Sequence, residues 1–303
     1  MNKEFEKLCR MSQKMLKNHV KQKLCRTHKN VVNADGFIYA EGTFPVLLMA
    51  HLDTVHKTLP TIIEYDEKQD VVSSPNGIGG DDRCGAYMIF KILKKFNCSV
   101  LFCEDEEVGC VGAGKFVETD LAKQLKFNYI IEFDRAHAND AVFYQCANDE
   151  FEKFITKEFY KTAYGSFTDI CEVAPVLGCA AVNLSCGYYM AHTTSEYVVL
   201  SEMEKNIEEA CKILERTTEN DKFEYIERYY SNRYYDSVNY DDDYYADKYY
   251  IIEYVDASGN TNWYDTVAFS KAEAVGNFVM EFPEISFDKV IDIMVDHDVY
   301  KYV

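Results

Sequence analysis

No stretch of this 303-residue chain approaches the roughly 18–20 consecutive apolar residues that span a bilayer, so a helical membrane protein is excluded from the outset. The amino terminus, MNKEFEKLCRMSQKMLKNHVKQKL, lacks the apolar core of a signal peptide. It reads instead as an amphipathic helix with Phe5, Leu8, Met11, Met15 and Val20 near one face. Positive charge is also scarce: 32 Lys and Arg stand against 51 Asp and Glu, a formal charge of −19. Such a chain repels phosphate, so neither nucleic acid nor an anionic membrane is expected as a partner. Paired cysteines are missing as well. The eleven cysteines are irregularly spaced and contain no CxxC, which argues against both a disulfide framework and a thiolate zinc site. Several (Cys98, Cys103, Cys179, Cys186) lie inside apolar runs, where a reduced cysteine acts as a small hydrophobe. A reducing, cytoplasmic location is the expectation.

What the chain does have is an alternation of apolar runs and helical patterns from about residue 30 to 215. Strand-like runs are Phe44–Ala50, Ser99–Cys103, Phe127–Phe133 and Gly178–Leu184. Helical spacing marks Cys84–Lys95 and Ser201–Arg216. Continuous apolar strands separated by helices imply an α/β fold, a mostly parallel sheet sandwiched by helices. We therefore expect a catalytic-size domain over 1–219. An acidic, tyrosine-rich linker over 220–248 follows, because a run of Tyr, Asp, Asn and Arg has no obvious place in a core. The remainder, 249–303, reads as a small ββαα module. Tyr249–Val255 and Asn262–Phe269 flank the turn signal DASGN with Trp263 on the hairpin's packing face, Ser270 opens one helix, and Ser286 caps a second.

Chemistry-bearing residues gather where the strands end. Phe44–Ala50 runs into His51-Leu52-Asp53, Ser99–Cys103 into Glu104-Asp105-Glu106-Glu107, and the third run ends on Asp134. The fourth leads through a short loop to His192, and a glycine-rich loop carries Asp81-Asp82 into the helix at Cys84. In open α/β sheets, ligands bind beyond these carboxyl ends. Two imidazoles and several carboxylates there make a site for zinc, cobalt or manganese. His51 and Asp53, two apart on an extended chain, point to the same side, so the carboxylate can hold the second ring nitrogen of a metal-bound imidazole. Of the adjacent Glu106 and Glu107, one can ligate while the other takes a proton from water.

The motifs HLDTV, GGDDRCG, DEEVGCVGAG, the IEFD ending and YYMAHTTSEYV occur in an order that resembles the co-catalytic zinc peptidases, the clan spanning the M20, M28 and M42 families. The resemblance covers about residues 35–215. It implies two divalent ions, with His51, Asp81 and Asp134 on one and Glu107 and His192 completing the other. Asp81 would bridge them, with Asp82 as the alternative; the first fits better because Arg83 then falls in the family's register. By the same resemblance Glu106 is the general base and Asp53 orients His51. An aminopeptidase acting on peptides is implied, and oligomers are compatible with kinship. The stretch Arg135–Ala191 is too short for the lid domain of M20 members, and Asp53–Asp81 leaves no room for the inserted domain of M42 enzymes. The chain thus reads as a compact member. Ser166, Thr168 and Asp169 mark a candidate substrate-facing loop, and His137 is a further candidate near the pocket. Two other readings compete: a deacylase using the same metals on a non-peptide amide, and a binding protein that keeps the fold without turnover.

Overall fold

The computed structural model describes residues 3–165, 167–226, 248–256, 259–268 and 290–296, together with Phe278 and Phe282. The chain divides into two compact units, Met1–Tyr229 and Tyr230–Val303. In the first, α1 (Lys3–Cys9) and α2 (Gln13–Leu24) precede β1 (Val31–Ala34), β2 (Phe37–Ala40), β3 (Phe44–His51), β4 (Glu64–Asp66) and β5 (Val71–Ser73). Next come α3 (Gly80–Ile92), β6 (Cys98–Cys103), α4 (Val111–Val117), α5 (Asp120–Gln124) and β7 (Tyr129–Arg135). The unit continues with β8 (Asp140–Val142), α6 (Asp149–Ile155), β9 (Lys161–Ala163) and α7 (Asp169–Leu177). It ends with β10 (Ala181–Ser185), β11 (Tyr188–Tyr189), β12 (Tyr197–Val199) and α8 (Leu200–Arg216).

An eight-stranded sheet in the order β1-β2-β6-β3-β7-β10-β8-β9 forms the α/β core, and its four central strands, β6 to β10, run parallel. Side-chain alternation feeds both faces, as the unbroken apolar runs require. On β3, Val46, Leu48 and Ala50 join one buried cluster with Phe5, Leu16, Tyr87 and Ile213. Leu47 and Met49 join the other, with Phe116, Ile170 and Val173. A four-stranded antiparallel sheet, β11-β12-β5-β4, sits beside the carboxyl ends. Among the described residues, no helix is long and apolar enough to cross a membrane.

Four local expectations need correction. The amino-terminal segment is two helices, because Ser12 caps a new one by accepting the Met15 N–H. The break resets the helical phase: Leu16 takes the buried position and Met15 is 55% exposed. Residues 220–226 belong to the first unit rather than to a linker. The Phe223 carbonyl accepts from Ala180, its N–H donates to Asn128, and its ring packs on Phe151 and Phe154. An aromatic side chain with a cleft to fill outweighs the polar composition around it.

In the second unit, β13 (Lys248–Val255) pairs antiparallel with β14 (Thr261–Ala268) and also with β15 (Val290–Asp296). That third strand stands where the helix capped by Ser286 was expected; its β-branched residues suit a pleated sheet with an open edge to fill. Of the helix expected from Ser270, Phe278 and Phe282 are described, and the Phe282 N–H donates to the Phe278 carbonyl as in an α-helical turn. Both rings pack with Tyr254 and Tyr264. Trp263 lies on the opposite, exposed face, as strand alternation demands once Tyr264 points inward.

Candidate active site

Register brings the site together. His51 pairs with Cys103 on β6, and Met49 pairs with Glu132 on β7, so two residues further on His51 and Asp134 come level. Glu104–Glu107 begin directly after Cys103. Asp81 enters from the start of α3, where Gly79 takes a left-handed φ of +68° and Gly85 packs so tightly that a Cβ would lie 1.9 Å from the Phe133 carbonyl. The Asp81–Asp82 peptide is cis.

The side chains converge in two sets, His51, Asp81 and Asp134, and Asp81, Glu107 and His192, each with one ligand atom per residue lying within 4.8 Å of the others. His51 Nε2 lies 3.0 Å from Asp81 and 3.3 Å from Asp134. His192 Nε2 lies 3.1 Å from the other Asp81 oxygen and 3.1 Å from Glu107. A tetrahedral cation with bonds near 2.0–2.1 Å sets its ligands about 3.3 Å apart, so the donor spacing fits such an ion. Glu107 Oε1 is buried without a hydrogen-bond partner, as a ligand oxygen waiting for a cation would be. Asp82 is turned away. Its carboxylate accepts the His51 and Gly85 N–H groups at 3.1 and 2.8 Å.

Asp53 is the hub behind these ligands. One oxygen meets His51 Nδ1 at 3.1 Å, which leaves Nε2 facing the acidic pair. The same carboxylate accepts the N–H groups of Glu106 and Glu107, both at 3.1 Å. Without cations the cluster holds protons instead. Burial opposes charge on His51, but Asp134, Asp53 and Asp81 outweigh it and raise its pKa well above the usual value. Hydrogen bonds that His192 donates to Asp81 and then Glu107 push its pKa up to about 11. Burial, with Asp134 next, pushes Glu106 up to about 8. Burial raises Asp134 to about 7 despite His51.

Residues 38–174 match the model of peptidase family M28. Over those residues the chain is similar to the co-catalytic zinc peptidase clan. The match supports a metallopeptidase. Solved structures share its fold at low identity. An aminopeptidase PepT from Bacillus cereus superposes with a TM-score of 0.58 at 15% identity, over 70% of this chain and 96% of that one. A TET aminopeptidase from a marine-sediment thaumarchaeon gives 0.56 at 12%, covering 71% and 97%. A Staphylococcus aureus tripeptidase gives 0.54 at 12%, covering 69% and 95%. Among curated proteins none matches the chain in sequence.

Around the candidate ligands lie groups whose supporting roles sequence reasoning missed. Glu196, fully buried, accepts the Gly79 and Asp81 N–H groups at 2.7 and 3.0 Å and meets His56 Nε2 at 2.8 Å, fixing the loop that presents Asp81. Its only sequence signal was its place four residues after His192. Arg83, also buried, donates to the Leu52 and Asp53 carbonyls at 2.9 Å. Cys110 Sγ lies 3.6 Å from Glu106. Glu132, in register with Met49, lies on the same face of the sheet as His51 and Asp134, its pKa raised by burial first and Asp134 second.

The substrate-facing loop turns out differently. Thr168 and Asp169 are 1% and 0% exposed. The Thr168 hydroxyl lies 2.8 Å from Glu132 and 3.1 Å from Asp134, and the Asp169 carboxylate has no hydrogen-bond partner within ordinary geometry. Thr168 is thus held inward by the carboxylates of β7, and Asp169, opening α7, is buried beside it rather than left facing solvent. Ser166 lies outside the described residues. His137 belongs to neither ligand set, and its ring packs edge-on against Tyr189.

Proposed function

We propose that the chain is a dinuclear aminopeptidase that hydrolyses peptides with Glu106 as general base. One observation carries most of this reading: the two oxygens of Asp81 face the two histidines, at 3.0 and 3.1 Å, as a carboxylate shared by two cations would. His51 and Asp134 would hold one ion with Asp81, and Glu107 and His192 the other. The nitrogen and oxygen donors suit zinc, and cobalt or manganese also accept them. When bound, such a pair of ions polarises the scissile carbonyl and acidifies the attacking water.

The remaining work falls to the chain. Asp53 accepts the Nδ1 proton of His51 and so keeps the ring in one tautomer and one orientation. Glu106 takes the proton of the attacking water on its carboxylate and passes it to the nitrogen of the leaving amine. Its pKa of about 8 belongs to the cation-free cluster, and positive charge nearby lowers it toward the working range of a base.

Glu106→Gln keeps the shape and removes the base. It should cut turnover by about 10²–10⁴-fold while bound metal is retained, and full activity in that variant would refute the assignment. A panel of aminoacyl, N-acyl and C-terminal reporter amides tests the bond class. Cleavage confined to N-acyl amides would replace the aminopeptidase with a deacylase.

A further inference from the structure

The proposed general base sits on a turn that contains one residue in a strained backbone conformation and is closed by backbone bonds from Val111 to Asp105 and from Gly112 to Glu104. Asp105, just before Glu106, has a left-handed φ of +61°, a conformation strained for any residue with a Cβ. That turn is what aims the N–H groups of Glu106 and Glu107 together at Asp53. The structure shows what restrains it. Gln13 Nε2 donates to the Asp105 carboxylate at 2.9 Å. Lys17 forms an ion pair with Glu104 and also donates to the Ala34 carbonyl at 2.6 Å. Glu104 in turn accepts the Gly36 N–H at 3.1 Å. Gln13 and Lys17 are four apart on α2 and share the inward face of the helix with the buried Leu16, Val20 and Leu24. A third tie comes from Arg83, which donates to the Met11 carbonyl at 3.2 Å as well as to Leu52 and Asp53. The Lys17–Glu104 pair is mostly buried, with side chains 15% and 16% exposed, so solvent screens it less than a surface pair.

We infer that Gln13 and Lys17 are positioning residues, and that the amino-terminal helix pair is a brace holding the Glu104–Asp105 turn in the conformation that aims Glu106. This rests on Glu106 acting as the base. None of the five proposed metal ligands is touched by Gln13 or Lys17 in any described hydrogen bond, so loss of the brace should disturb turnover without emptying the cation sites. The effect should fall on kcat, because a base displaced by a fraction of an ångström still lets substrate bind.

The test uses the full chain with bound metal, an aminoacyl reporter amide, metal content and a thermal melt to confirm folding. The double variant Gln13→Ala, Lys17→Met should lower kcat by about tenfold or more, with KM and metal content little changed. Lys17→Arg, which keeps the charge, should retain most of the activity. Asp105→Gly supplies the decisive background. That change deletes the carboxylate that Gln13 holds and leaves a glycine that adopts a left-handed φ without help, so Gln13→Ala should cost far less there than in the wild-type chain. Should the double variant fail to fold, the single Gln13→Ala compared in those two backgrounds carries the same test. A folded double variant with wild-type kcat, or an equal loss from Gln13→Ala in both backgrounds, overturns the brace. A dead Glu106→Gln beside a fully active brace variant condemns the brace alone, whereas an active Glu106→Gln removes the base and the purpose of the brace together.

Discussion

The two ligand sets share Asp81 but are built differently. His51 ends a central strand, is 1% exposed, and has its second ring nitrogen pinned by Asp53. His192 lies on a loop after β11, with φ +64° and a side chain 57% exposed. A ligand on a buried strand end is pre-organised before any cation arrives, whereas a loop ligand must be ordered by binding. The fold thus offers one firm candidate set and one looser set that is open to solvent. That asymmetry can be broken or sharpened by experiment.

The largest effect is expected from His51→Ala. It strips the firm set and leaves Asp53, Asp81 and Asp134 as buried carboxylates without their partner, costing about 3–5 kcal/mol of metal-free stability. His192→Ala should cost little stability and lower only the metal content, which a melt and elemental analysis on both variants would separate. Equal destabilisation by the two would erase the distinction. Next, metal affinity at both sets should rise with pH. Each histidine must be neutral to ligate, and in the cation-free cluster both hold their protons above the usual range, His192 up to about 11. Binding therefore releases protons, measurable by titration in weakly buffered solution, and affinity falls as pH drops; an affinity flat from pH 8 to pH 6 would contradict this.

Asp53→Asn should weaken the firm set by about 10–100-fold, because the second ring nitrogen of His51 loses its carboxylate. The looser set should respond far less, and chelator competition can rank the two. The smallest effect belongs to the loop itself. The Thr193 hydroxyl donates to the Met190 carbonyl at 2.7 Å and accepts the Ser195 N–H at 3.2 Å. Thr193→Val should loosen His192 and cost about fivefold in affinity at that set, roughly the worth of one hydrogen bond.

How much of this was legible in the sequence follows the same division. The central strands were readable because a strand buried on both faces is apolar throughout, and β3, β6, β7 and β10 each end on chemistry-bearing residues or a loop leading to one. The five ligand candidates converge for that reason. Glu196 and Arg83 were not legible as supports, because their roles depend on backbone atoms over a hundred or some thirty to seventy residues away. Thr168 and Asp169 looked like loop residues, since nothing local tells that Thr168 would bond the carboxylates of β7 or that α7 would begin buried at Asp169. The break at Ser12 and the strand Val290–Asp296 were misread for a related reason: a capping side chain in one case and an unfilled sheet edge in the other overrode the apparent helical period.

The most direct test of the two-cation centre is the metal content of the purified chain after reconstitution with zinc, cobalt or manganese, with His192→Ala alongside. The account predicts about two equivalents in the wild type and about one in the variant. A wild-type chain that binds no metal under those conditions would contradict it.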